Sequence, residues 1–190
     1  MKAKLGLAIG TSLMLVACGQ GNDETPTTDT GQNEPEEETN QEAEDEMTTE
    51  SVYLFFPDEN VEELYRVERS ISQDDIEGAT EALELWLEGP ETDESNLTTL
   101  TNDSAIEVQS VEEEDGIAYV SFSPEFLDIQ VGSGTEEMLL QQVALIMDQF
   151  GYEETQILID GETQEQLFGH IQTDQPITSE DPESYELVES

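Results

Sequence analysis

Between Gly19 and Glu50 the chain carries only two apolar side chains, Ala43 and Met47, among Gly, Asn, Gln, Thr, Pro and acids. A stretch of this kind cannot bury enough surface to offset the entropy of ordering it, so it is expected to remain a disordered tether. As a flexible coil it averages ~30 Å end to end, and its like charges push it longer. Whatever folds must therefore be built from Ser51 onward. Regular apolar patterning runs for about 125 residues from there, enough for one hydrophobic core and not for two.

Ahead of the tether, Lys2 and Lys4 precede an uncharged run from Leu5 to Val16 that ends in Leu15-Val16-Ala17-Cys18. Crossing a bilayer as a permanent helix takes about 20 residues, and this run is shorter. A positive start, a short apolar run and small residues before a cleavage point make up a secretory signal peptide. Leu-Val-Ala-Cys resembles the bacterial lipobox, in which the cysteine thiol is alkylated by a diacylglyceryl group and the chain is cut just before it. The thioether needs a nucleophilic sulfur, and small Ala17 leaves room for the peptidase at the Ala17–Cys18 bond. Two acyl chains of the palmitate type suffice for stable anchoring at ~0.8 kcal/mol per buried methylene. The plain alternative is a buried cysteine in a core helix. Cys18 is the only cysteine, so neither an internal disulfide nor a thiolate metal cluster is available. The expected organisation is a leader at 1–17, lipidated Cys18 with its tether at 18–50, a folded domain at 51–177 and an acidic C-terminal tail at 178–190. The expected location is the outer face of the cell membrane.

Charge narrows the partners. The chain has 48 acidic residues against four Lys and Arg, a formal −44, and losing the leader makes it more negative by two. Arg66 and Arg69 are then the only strong bases. Nucleic acid requires a basic footprint, which excludes it as a partner. Docking onto anionic lipid is disfavoured for the same reason. Acidic surfaces of this kind keep halophile proteins soluble, so a salt-loving or alkaline-tolerant host is expected.

Along the domain, Val52-Tyr53-Leu54-Phe55-Phe56 reads as a strand ended by the turn Pro57-Asp58-Glu59-Asn60. Leu64 to Ile71 alternates, with Tyr65, Val67, Arg69 and Ile71 on one face, as a half-exposed strand does. Asp74 or Asp75 caps a helix on which Ile76, Ala79, Leu83, Trp86 and Leu87 recur at helical spacing, and Gly89-Pro90 ends it. Leu97 and Leu100 are expected to pin the polar loop 91–104. A hairpin follows, Ile106 to Val111 and Ile117 to Phe122, with Asp115-Gly116 at its tip. Ser133 and Glu136 are spaced as a capping box for a second helix bearing Met138, Leu139, Val143, Ile146, Met147 and Phe150. Gly151 stops it, and Ile157-Leu158-Ile159 is a short apolar strand. The order β-β-α-β-β-α-β predicts a two-layer α+β sandwich, with two helices on one face of a mixed four- or five-stranded sheet. Residues 178–190 are expected to fray.

Five runs together resemble the GerM domain, the sporulation and spore germination domain of exported bacterial proteins. They are Val52-Tyr53-Leu54-Phe55-Phe56-Pro57, Ala82 to Pro90, Gly116 to Ser123 with Glu125-Phe126-Leu127, Ile157 to Gly161, and Leu167-Phe168-Gly169-His170-Ile171. The resemblance implies an α+β fold related to ring-building domains of sporulation secretion complexes, and a part in spore formation or germination. It supplies no catalytic residues. Sporulation proteins of this type commonly carry two such domains, and this chain shows one; single-domain relatives also occur outside sporulating bacteria.

Other chemistry is thinly represented. His170 is the only histidine. Without a second His or a Cys beside it zinc is disfavoured, and ordinary packing or a loop hydrogen bond is the plainer role. Glu112-Glu113-Glu114-Asp115 lacks the spaced ligands and internal Gly of an EF-hand loop and reads as a solvated hairpin tip. Paired carboxylates suit glycosidic hydrolysis of cell wall, yet a chain this acidic always offers some pair. Neither a Gly-x-Ser-x-Gly elbow nor a phosphate-binding Gly loop is present. No cofactor and no catalytic residue is assigned. The expected role is a membrane-tethered binding or assembly module that meets other exported envelope proteins, or itself, through candidate contacts at Arg66, Arg69 and His170. The alternatives are a peptidoglycan hydrolase or its accessory factor, and a surface lipoprotein unrelated to sporulation.

The acidic balance carries a direct test. Thermal melts in dilute buffer and in molar NaCl should give a higher melting temperature in salt, where the screening length falls to about 3 Å.

Overall fold

The computed structural model describes residues 50–101 and 105–188. The leader, Cys18 and the tether as far as Thr49 lie outside the described residues, while Glu50, expected as the tether's last residue, opens the first strand. The expected order is present as β1 (Glu50–Pro57), β2 (Leu64–Ile71), α1 (Ile76–Glu88), β3 (Val108–Glu114), β4 (Ile117–Phe122), α2 (Ser133–Asp148) and β5 (Glu154–Ile159). Three two-residue strands follow, β6 (Glu162–Thr163), β7 (Ile177–Thr178) and β8 (Glu186–Leu187). The α+β class stands.

The strands, however, form two sheets instead of one. β1-β2-β8 is the first; β3-β4-β5-β6, with β7 also on β5, is the second. The outer edge of β1 is occupied by groups other than a full strand. The side-chain amide of Gln149 takes the place of a neighbouring strand at Tyr53: Tyr53 N–H donates to Gln149 Oε1 at 2.8 Å, and Gln149 Nε2 donates to Tyr53 O at 2.8 Å. Further along, Thr98 N–H donates to Pro57 O at 2.9 Å and Asp58 bridges to Leu97. An edge whose donors and acceptors are already paired has nothing to offer a further strand.

Local chemistry builds the elements much as the pattern implies. In the β1–β2 pair Val52 faces Arg69, Leu54 faces Val67 and Phe56 faces Tyr65. The Asp75 carboxylate caps α1 through the amides of Glu77 and Gly78, and Gly89, at φ 87°, ends it. Asp115 and Gly116 have φ 55° and 85°, the left-handed pair that a two-residue hairpin turn demands. β4 and β5 run parallel, so α2 is the crossover between them.

α2 is the most enclosed element. Six consecutive residues, Gln142 to Met147, are buried, which points them in every direction around the helix. It touches α1, β1 of the first sheet, and β5 and β7 of the second. The predicted capping box does not form. Gly132 occupies the cap position without a side-chain bond, and the Glu136 carboxylate turns instead toward the loop after β6.

The C-terminal segment is also ordered where fraying was expected. Tyr185 packs edge-on against Phe55, with ring centroids 5.5 Å apart, and Phe55 is fully buried. Its hydroxyl donates to Glu180 at 2.6 Å, and Val188 N–H donates to Arg66 O at 2.9 Å as β8 joins β2 in parallel.

Gly78 marks the tightest approach in this fold. A Cβ there would lie 1.8 Å from the Gln73 carbonyl oxygen, whereas one at Gly134 meets nothing within 4 Å. Gly78→Ala should therefore cost about 1–3 kcal/mol as an overpacked site. Gly134→Ala should gain about 0.5–1 kcal/mol from helix propensity. Urea midpoints of the two variants check both signs.

Candidate interaction surface

The three residues singled out from sequence lie in different settings. Arg69 belongs to the interior. Its Nη1 and Nη2 meet the Glu94 carboxylate at 2.9 and 2.6 Å, its Nε lies 3.3 Å from Glu91, and its Nη1 also donates to Glu68 O at 2.9 Å. The Glu94 side chain is wholly buried, and it accepts a further bond from Glu91 N–H at 2.8 Å. Burial works against the charge of both groups. The paired hydrogen bonds and opposite charges outweigh it, so Arg69 is held above its ordinary value and Glu94 below that of a free glutamate. This clamp fastens the loop after α1 to β2 and leaves Arg69 no free donor fork for a partner.

Arg66, three residues away on the strand, faces the opposite side. Its guanidinium carbon sits 4.6 Å from the Tyr53 ring centroid, a cation–π contact. Its Nε is buried without a hydrogen-bond partner.

His170 has an exposed side chain, and its backbone is what the fold uses. His170 and Ile171 N–H donate to the two oxygens of Glu136 at 3.2 and 3.3 Å. Glu136 is fully buried in the first turn of α2, where a negative charge also complements the helix dipole. The base of the same loop is closed by Thr173, whose N–H and hydroxyl both reach back, to Glu165 O and Gln164 O at 3.0 Å. The loop 164–173 is therefore tied at its base and near its tip.

A row of aromatic rings supports this region from below. Phe122 and Phe126 stack at 4.4 Å and 8°, Trp86 lies 6.4 Å from Phe122, and Phe168 lies 5.6 Å from Phe126. Trp86 Nε1 donates to buried Gln142 Oε1 at 2.9 Å, which satisfies both polar groups in the core. Where Phe168 reaches the surface, a groove of about 510 Å³ opens, lined by Leu127, Ile129, Gln130, Val131, Leu167 and Phe168. Leu127 is 40% exposed and is, with Leu187, one of two large hydrophobic side chains left exposed among the described residues.

The Glu112–Asp115 tip is exposed throughout. Among the described residues no group of His, Cys, Asp and Glu is arranged to hold a metal, and no helix is long and apolar enough to cross a membrane.

Sequence reasoning passed over Glu94 and the groove, and it gave Glu136 a capping role in place of its bonds to the loop 164–173. The groove had no clear signal, since its wall runs from the end of a 3-10 turn at Leu127 through Ile129, Gln130 and Val131 without a regular period. Glu94 had none, because among 48 acids nothing local distinguishes a buried one.

Comparison with known proteins bears on the whole region. The family model Germane, described as sporulation and spore germination, matches residues 51–165. The tandem GerMN domains of the sporulation protein GerM from Bacillus subtilis are similar in structure, with a TM-score of 0.56 at 20% identity, covering 69% of this chain and 46% of that one. The chain thus spans under half the length of that tandem protein. The first GerMN domain of the same protein gives a TM-score of 0.53 at 23% identity, covering 70% of this chain and all of that one. A search of curated proteins returned no sequence match.

The Arg69–Glu94 clamp predicts a pH signature. Because Glu94 is held below its unfolded value, the pair's stabilisation is complete above that value and is lost as pH falls through the folded one. Arg69→Met strands a buried carboxylate and should cost about 3–5 kcal/mol at pH 7. The gap from wild type should then narrow on acidification, as the variant's Glu94 takes up a proton. Chemical denaturation of both proteins between pH 7 and pH 4 gives that difference directly.

Proposed function

The chain belongs to the Germane family of sporulation and spore germination proteins, and from that membership we propose that it is a membrane-tethered binding or assembly module of the cell envelope. The lipobox at Leu15–Cys18 supports anchoring through a diacylglyceryl group, with the domain held outside the membrane by the tether. A tethered module meets its partner at an effective concentration set by the linker, in the millimolar range for short flexible ones.

The observation that favours binding over catalysis is the way the domain spends its buried polar side chains. Glu94 is closed on Arg69, Glu136 on loop amides and Gln142 on Trp86, while half-buried Gln149 closes the edge of β1. Each completes an internal bond. Toward solvent the domain presents carboxylates and, beside Phe168, an open groove. The other exported envelope proteins are the proposed partners, and spore formation or germination the proposed process.

Two linked experiments test this. Cys18→Ser should move the protein from the membrane fraction into the medium; retention at the membrane would overturn the lipid anchor. A fluorescently tagged copy, followed from growth into starvation, should gather at the septum or forespore boundary. An even membrane distribution with normal sporulation after deletion, or clearing of a peptidoglycan zymogram, would overturn the assembly role.

A further inference from the structure

The segment that ends the described residues is fastened in two unequal ways. Up to Glu180 it is tied into the body of the domain: Ile177 and Thr178 pair with β5 and β5 carries them beside α2, where Gln141 Nε2 donates to Thr178 O at 3.0 Å and Ser179 Oγ donates to Asp148 Oδ1 at 2.7 Å. From Asp181 to Ser184 it makes a tight turn held by bonds within itself, from Glu183 N–H to Asp181 Oδ1 at 2.9 Å and from Ser184 Oγ to Asp181 O at 2.6 Å. Past that turn, Tyr185 to Val188 sit as a separate patch on the edge of β2, through the Phe55 ring, the two-residue β8 and the bond from Val188 N–H to Arg66 O. Glu186 and Leu187 stay exposed. The patch pairs with two of the eight residues of β2, and Glu68 and Ser70 are exposed beyond it. This edge also holds the spare positive charge of the domain. Among the described residues Arg66 is the strong base without an ion pair, while Arg69 is spent on Glu91 and Glu94. The patch opposite Arg66 follows Glu183 and includes Glu186.

Resting on the binding role above, we propose that the β2 edge with the Phe55 ring is a docking site for residues 185–188 of a second copy of this chain, so that copies join by exchanging this patch. The occupant is the sequence already seated there, with ring against ring, main chain on main chain and Leu187 opposite Arg66. Exchange reforms these contacts between copies, and the bonds given up are those of the Asp181–Ser184 turn, which makes it a low-cost route to association. Arg66 makes the site selective. Elsewhere an acidic segment of a second copy meets carboxylates; on β2 it meets a guanidinium that no carboxylate has taken. Copies tethered to one membrane face meet at the raised local concentration that favours exchange over self-closure.

The test uses the Cys18→Ser chain in molar NaCl, which screens the general repulsion between acidic domains. Sedimentation from micromolar to millimolar protein should show association that grows with concentration. Tyr185→Ala removes the ring that meets Phe55 and should weaken association at least about tenfold. Arg66→Gln should weaken it several-fold, and Leu127→Ser, in the groove beside Phe168, should leave it unchanged. Tyr65 and Glu186 are aligned across β2 and β8. A chain carrying Tyr65→Cys and Glu186→Cys together, oxidised when dilute, should close the patch onto its own domain and stay monomeric; reduction should restore association. The two single variants, mixed and oxidised when concentrated, should cross-link to each other. A chain that stays monomeric at millimolar concentration, or association that survives the oxidised lock, would refute the exchange. So would association that rises in Tyr185→Ala, the mark of a patch that only covers the edge. The tagged chain in the host separates this proposal from the role it rests on. Septal gathering by a chain that does not self-associate removes the exchange and leaves the assembly role in the envelope standing; a self-associating chain that never gathers removes that role and leaves the exchange.

Discussion

A helix with six consecutive buried residues has to be covered on most of its sides, and α2 imposes that condition on the rest of the domain. Leu139, Leu140, Val143, Leu145, Ile146 and Met147 are all buried, and no single sheet face can cover them. α1 lies along one side, and strands of both sheets take the others. Strands of both sheets thus share the covering of one helix, whose exposed residues are Ser133, Gly134 and Glu137. Burying a Leu or Ile side chain is worth roughly 1.5–3 kcal/mol, so this helix supplies a large share of the driving force.

The same enclosure makes the helix's polar side chains structural. Glu136, Gln142 and Gln149 project from it at its start, middle and end, and each answers a group in a different element: the loop 164–173, the indole of α1, and the edge of β1. A buried polar atom without a partner costs about 1–3 kcal/mol, so these bonds fix the rotation and register of the helix within its shell. The amide of Gln149 does most for the topology, because it terminates β1 as an additional strand would.

Charge plays its part under scarcity. With two arginines in the folded part, one is spent inside, on the carboxylate pair that ties the loop after α1 to β2, and the other is laid over Tyr53. The remaining surface is almost uniformly acidic. Beside Phe168 that acidic background is interrupted by an open groove lined by Leu127, Ile129, Gln130, Val131 and Leu167. The groove depends on the interior as well, since the Phe122–Phe126–Phe168 row carries core packing out to the surface.

Much of this was legible from residue order, since it depends on near neighbours in the chain. Asp75 and Gly89 bound α1, Asp115-Gly116 turns the hairpin, and Leu54, Val67, Leu83, Val120 and Ile157 fall in the core as their periodicity implies. The family, the α+β class and the order of the major elements follow from the same local information. What only the tertiary structure decided involves partners far apart in sequence. Gln149 closes β1 from 96 residues away, Arg69 finds Glu94 across 25, and Glu136 leaves its expected cap for amides 34 and 35 residues on. A capping box and a distant latch require the same glutamate in the same place, and only the folded loop determines which bond forms. The local pattern states that a helix begins at Ser133; the pairing of its buried carboxylate is a property of the whole molecule.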